Sequence, residues 1–135
     1  INLDTATAAT SCGLATVLGA PNVLRGGSQS GSMRAIDGIR AGVTSCLCSD
    51  YQPSTLIAAV FTVLEQSDLT MPQAAALVTR NPADAASLAD RGRIQSGLRA
   101  DLAAVGRQGR LPQGNHVWSA GRLVCATRYP AALAA

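Results

Sequence analysis

Val43-Thr44-Ser45-Cys46-Leu47-Cys48-Ser49-Asp50-Tyr51-Gln52-Pro53 is the stretch that decides the fold. Its first six residues are β-branched and apolar enough to form a buried strand. Pro53 cannot continue a strand ladder, so the chain turns there. Asp50 is thereby placed at the C-terminal rim of the strand, the edge at which open α/β sheets and (β/α)8 barrels build their sites. A lone aspartate at such a rim also serves as a turn or cap residue, and only its surroundings separate the two roles.

Upstream of that strand, residues 14–18 read as a short buried strand ended by Gly19 and Pro21, and 26–32 as a polar, glycine-rich loop. Met33, Ile36 and Ile39 recur at helical spacing, which predicts a helix over 33–41 with Gly42 as its stop. The order is β–loop–α–β, the repeating unit of a parallel sheet or barrel. An Ala/Thr-rich, weakly helical segment over 5–12, closed by Gly13, precedes it. Downstream, Leu56, Ala59, Val60, Val63 and Leu64 form the apolar stripe of a helix over 54–66. Thr70-Met71-Pro72-Gln73 is a capping box that starts a helix running to about residue 79. Asn81 is expected to cap a further helix that Pro82 opens.

After Gly92 the period changes. Residues 93–94, 100–105, 116–119 and 122–127 read as short strands, with Ala120-Gly121 as a tight hairpin turn. Residues 106–114 read as a polar loop and 131–135 as a frayed tail. The chain therefore divides near Arg91 into an α/β part (1–91) and a β part (92–135).

Composition narrows the function. The 135 residues fit one compact domain but fall short of a whole (β/α)8 barrel, which needs roughly 250. The chain opens on Ile1 rather than Met, as a processed or excised piece does. All 11 basic residues are Arg, so neither a Schiff-base lysine nor a Walker-type phosphate loop is available. The net charge of +3 comes from scattered arginines without a basic stripe or stacking aromatics, which argues against nucleic acid and suits a small anionic partner. No segment reaches a membrane-spanning length of apolar residues and no signal peptide is read, so the expected location is cytoplasmic. Cys12, Cys46, Cys48 and Cys125 are few and unevenly spaced, which fits reduced thiols better than a disulfide framework or a zinc knuckle.

The ordered set Gly19-Ala20-Pro21-Asn22, Arg25-Gly26-Gly27-Ser28, Ser49-Asp50-Tyr51, Asn81-Pro82-Ala83 and Gly92-Arg93-Ile94 through Ala100-Asp101-Leu102 resembles the C-terminal part of the amidohydrolase superfamily. The glycine block beside S-D-Y-x-P is similar to a branch of phosphonate breakdown. That resemblance implies the last β/α units of a metal-dependent hydrolase barrel followed by strands of a small β-sandwich. It also implies cleavage of a ribose 1-phosphonate 5-triphosphate with release of pyrophosphate.

In that family Asp50 would be both the catalytic base and a metal ligand. The metal would be a divalent ion, zinc foremost, in the complete enzyme; none is expected for this chain alone. Asn22, Arg25, Gly26, Gly27, Ser28, Gln29, Ser30 and Tyr51 are the expected substrate-binding residues. Convergent backbone N–H groups, a guanidinium and hydroxyls suit phosphate oxygens. The family carries S-H-S-G-N where this chain has Ser28-Gln29-Ser30-Gly31-Ser32. Gln29 can hydrogen-bond a phosphate, but it cannot act as acid, base or strong metal ligand. The family's His-x-His, its carboxylate or modified lysine and its two later histidines are absent from this chain, whose one His is His116.

The expected partners are a phosphorylated small molecule and either an N-terminal remainder of the barrel or a second copy. Two other readings stay open: a non-catalytic anion-binding or dimerisation domain, and a piece of an amidohydrolase acting on a cyclic amide.

Overall fold

The computed structural model describes residues 1–28, 31–108 and 111–128. The chain is mixed α/β with two small sheets and falls into two compact units, Ile1–Gly92 and Arg93–Ala135.

In the first unit, helix α1 (Leu3–Ser11) starts earlier than its composition predicts. Asn2 caps it, its Oδ1 accepting from the N–H of Thr5 at 2.9 Å. Strand β1 (Val17–Gly19) then runs parallel to β2 (Cys46–Cys48), in the register Val17 with Cys46, Leu18 with Leu47 and Gly19 with Cys48. Both strands are shorter than expected. Leu14 is 62% exposed and outside the ladder, while the Thr16 carbonyl accepts from both Ser45 and Cys46 N–H groups at 3.0 Å and ends the pairing there. The other edge of β2 is covered, because Leu47 N–H donates to the Leu77 carbonyl at 2.8 Å.

Helix α2 (Ala20–Arg25) lies where the sequence reads as a strand end. Pro21 sits at the start of this helix, where a missing N–H leaves no bond unmade. Gly26 closes the helix in the left-handed conformation, φ 69° and ψ 17°. Helix α3 (Ala35–Arg40) and β2 complete the crossover. Helix α4 (Thr55–Gln66) buries Ala59, Val60 and Val63 against Ala20, Val23, Ile36, Ile39 and Leu47. Removing these apolar side chains from water is what holds the crossover on the sheet.

Helix α5 (Met71–Ala76) follows from its capping box: the N–H of Thr70 donates to Gln73 Oε1 at 2.8 Å and its hydroxyl to the same oxygen at 2.7 Å. Helix α6 (Arg80–Ala85) begins after Thr79 rather than at Asn81. Asn81 lies inside the helix and its Nδ2 donates to the Ser45 carbonyl at 2.8 Å, so its side chain serves the strand instead of the cap.

The second unit is an antiparallel meander of β3 (Leu102–Gln108), β4 (Leu111–Ser119) and β5 (Arg122–Ala126). Ala120 and Gly121, with φ 49° and 78°, form the expected two-residue hairpin turn. Asp101 Oδ1 accepts from the N–H of Ala120 at 2.8 Å, which pins that turn. The expected polar loop over 106–114 is strand wherever it is described, up to Gln108 and again from Leu111. The ribbon is exposed along β3 and half-buried along β4, which gives it a loop's composition, and the register shift beside Val105 absorbs the extra residue. Residues 93–94 are not strand, and Ile94 is 91% exposed. The expected tail over 131–135 lies outside the described residues.

Candidate functional site

Parallel pairing sends β1 and β2 out of the sheet at the same edge, with Gly19 opposite Cys48. The segments that leave this edge carry most of the residues expected to form a site. From β1 the chain enters α2, whose last residue is Arg25, and then Gly26, Gly27 and Ser28. From β2 it enters a turn over 49–52, closed by Gln52 N–H donating to the Ser49 carbonyl at 3.0 Å, with Asp50 and Tyr51 at its centre.

Arg25 and Tyr51, 26 residues apart, meet there. Arg25 Nη1 donates to the Tyr51 hydroxyl oxygen. The guanidinium carbon also lies 5.8 Å from the centroid of the Tyr51 ring, within cation–π range. Both residues are exposed, and one Arg25 nitrogen of three is engaged by the tyrosine hydroxyl. Asp50 sits beside Tyr51 in a left-handed backbone, φ 53°, a conformation aspartate tolerates better than most residues. Its carboxylate makes no hydrogen bond or ion pair among the described residues. Oδ2 instead lies so close to Gly19 that an ideal Cβ there would be 2.9 Å away.

Gly26 and Gly27 have open space where a side chain would stand. Asn22 does not present a free amide: Nδ2 donates to the Met33 carbonyl at 3.3 Å and Oδ1 accepts from the N–H of Ala35 at 2.9 Å. It fastens α2 to the start of α3. Gln29 and Ser30 lie outside the described residues. A shallow cavity of about 280 Å3 beside the other end of β2 is lined by Ile39, Thr44, Leu69, Gln73, Leu77 and Asn81, and holds none of the expected site residues. His116 is remote in sequence, in β4, where its ring stacks on Trp118 with centroids 5.7 Å apart.

The arrangement joins a tyrosine-held cation, two open glycines and a carboxylate unpartnered among the described residues at one sheet edge. Over 114 residues the chain is 43% identical to alpha-D-ribose 1-methylphosphonate 5-triphosphate diphosphatase of Escherichia coli (strain K12). This chain is homologous to the C-terminal part of that enzyme. The match takes in 83% of the chain but spans only 30% of the length of the diphosphatase. No family model matches the chain. No solved structure matches it either. No helix among the described residues is long and apolar enough to cross a membrane.

Sequence reasoning missed two features of the site. The Arg25–Tyr51 contact depends on α2, whose six residues are too few to show a period. The close approach of Gly19 and Asp50 depends on strand register, which spacing along the chain does not encode.

Proposed function

We propose that the sheet edge bearing Arg25, Gly26, Gly27, Ser28, Asp50 and Tyr51 binds the phosphate groups of a small phosphorylated substrate. In the complete enzyme this edge would serve hydrolysis of a ribose 1-phosphonate 5-triphosphate with release of pyrophosphate. The observation that carries the reading is the Arg25 guanidinium held by Tyr51 next to Gly26. A guanidinium fixed in this way forks onto phosphate oxygens with little further loss of freedom. The open backbone at Gly26 and Gly27 lets a phosphate approach main-chain N–H groups. Asp50 repels that same phosphate, so its place is on the side of the attacking water, whose proton it accepts.

A divalent metal, zinc foremost, belongs to the family resemblance, but the residues present do not make a metal site. Among the described residues no group of three His, Cys, Asp or Glu could hold an ion. Asp50 is one oxygen donor, and useful affinity takes three or four. Further ligands would come from outside these residues. The parallel β1–β2 pair would then be two neighbouring strands of a (β/α)8 barrel over 1–91, with the three-stranded sheet over 92–135 as part of a β-sandwich. The outer edge of β1 has no ladder partner among the described residues and offers the place for a further strand. That strand would come from an N-terminal remainder or from a second copy.

The missing donor set favours a second reading, a non-catalytic anion-binding domain. Sodium tripolyphosphate tests what the two share. The chain is expected to bind it, and Arg25→Ala to weaken binding by about tenfold or more, the loss of a charged hydrogen bond. Equal binding by Arg25→Ala, or no binding beside clear binding of hydantoin, an uncharged cyclic amide, would contradict both. Pyrophosphate release from a ribose 5-triphosphate, measured once an N-terminal remainder completes the chain, then separates the hydrolase from the binding domain.

A further inference from the structure

Gly19 ends β1 and has an ordinary extended backbone, φ −74° and ψ 129°, which any residue adopts. Conformation therefore does not call for glycine at this position, but space does. An ideal Cβ would lie 2.9 Å from Asp50 Oδ2, 3.4 Å from its Cβ and 3.5 Å from its Cγ. The first distance is well inside the roughly 3.5 Å optimum of non-bonded contact. The Asp50 carboxylate thus lies across the bare Cα of Gly19.

Two further observations bear on what places the carboxylate there. Asp50 occupies the second position of its turn with φ 53°, a place such turns give to glycine, asparagine or aspartate, so the turn backbone sets the direction in which its side chain leaves. The carboxylate makes no hydrogen bond or ion pair among the described residues that could hold it otherwise. The turn backbone on one side and the flat surface of Gly19 on the other are what remain.

We propose that Gly19 is a positioning residue, whose missing side chain provides the surface on which the Asp50 carboxylate rests at the C-terminal rim of the β1–β2 sheet. The inference builds on the reading of Asp50 as the carboxylate of the site. A methyl group at position 19 would turn the short Asp50 side chain away, moving the carboxylate while leaving the strand pairing intact.

The test is the Asp50 carboxyl 13C resonance in Gly19→Ala. It is expected to move more than that of Asp4, Asp37 or Asp84, in a protein that keeps its β1–β2 contacts. A merely structural glycine would lower stability and leave that resonance in place, and an unmoved resonance overturns the proposal. Should Gly19→Ala unfold, the double variant Gly19→Ala, Asp50→Gly decides. Recovery of the folded state supports the contact, and continued unfolding overturns it. Neither readout uses phosphate. A chain that ignores tripolyphosphate therefore sinks the functional reading and leaves this contact standing, while an unmoved resonance does the reverse.

Discussion

Arg25 is held by Tyr51 in two separable ways, through the hydroxyl and through the ring face. Tyr51→Phe keeps the ring and removes the acceptor, so tripolyphosphate affinity is expected to fall by only about threefold, while Tyr51→Ala should approach the loss of Arg25→Ala. Isothermal titration of the three variants checks this order, and a Tyr51→Ala protein that binds like the wild type would show that the contact does not organise the cation. Cys46 offers a second test at this scale. Burial pushes its thiol above the usual cysteine range, whereas Cys12, Cys48 and Cys125 are exposed. Alkylation of the native chain near pH 8 should modify three cysteines quickly and Cys46 only on unfolding. Mass mapping that finds Cys46 among the fast sites would contradict its placement in β2.

The elements follow from local chemistry where caps and stripes are present. In α5 the N–H and hydroxyl of Thr70 both reach Gln73, so Thr70→Ala should cost about 1 kcal/mol in urea unfolding. No change would mean that tertiary contacts alone hold the helix. In α3 the Arg34 guanidinium hydrogen-bonds Asp37 at 2.7 Å and holds its carboxyl below the usual aspartate range. A carboxylate lowered in the folded state contributes its full stability at neutral pH and loses it as acid protonates the group. Asp37→Asn should therefore narrow the stability gap between pH 7 and pH 3. The effect is small, because the pair is solvent-exposed.

The α4 stripe and the Ala120-Gly121 turn were legible in the sequence because each depends on neighbours a few residues away. Helix α2 was not, since a glycine and a proline beside an apolar run signal a strand end as well as a helix start. The β3–β4 ribbon was hidden for a different reason. Its polar, glycine-containing stretch pairs through the backbone and buries little, so no apolar alternation marks it.

At the scale of the molecule, the parallel β1–β2 pair collects at one edge residues that the sequence separates by more than 20 positions. Asp50 at a strand rim and Arg25 beside two glycines could be named from the sequence, since strand ends and glycine loops have local signatures. The job of Asn22 could not, because its amide reads as a free polar group until α3 is seen to use both its donor and its acceptor. Because no group of three His, Cys, Asp or Glu among the described residues could hold a metal ion, the chain by itself should bind tripolyphosphate without releasing pyrophosphate. Steady turnover by the purified chain would require ligands that the described residues do not contain.

The central claim is that the β1–β2 edge binds phosphate through Arg25. Its most direct test is a 15N–1H correlation spectrum of the chain titrated with sodium tripolyphosphate. The expected result is saturable shifts at Gly26, Gly27, Asp50 and Tyr51 that vanish in Arg25→Ala, with β3–β5 unmoved. Shifts spread over the surface arginines, or a spectrum that does not change, would contradict it.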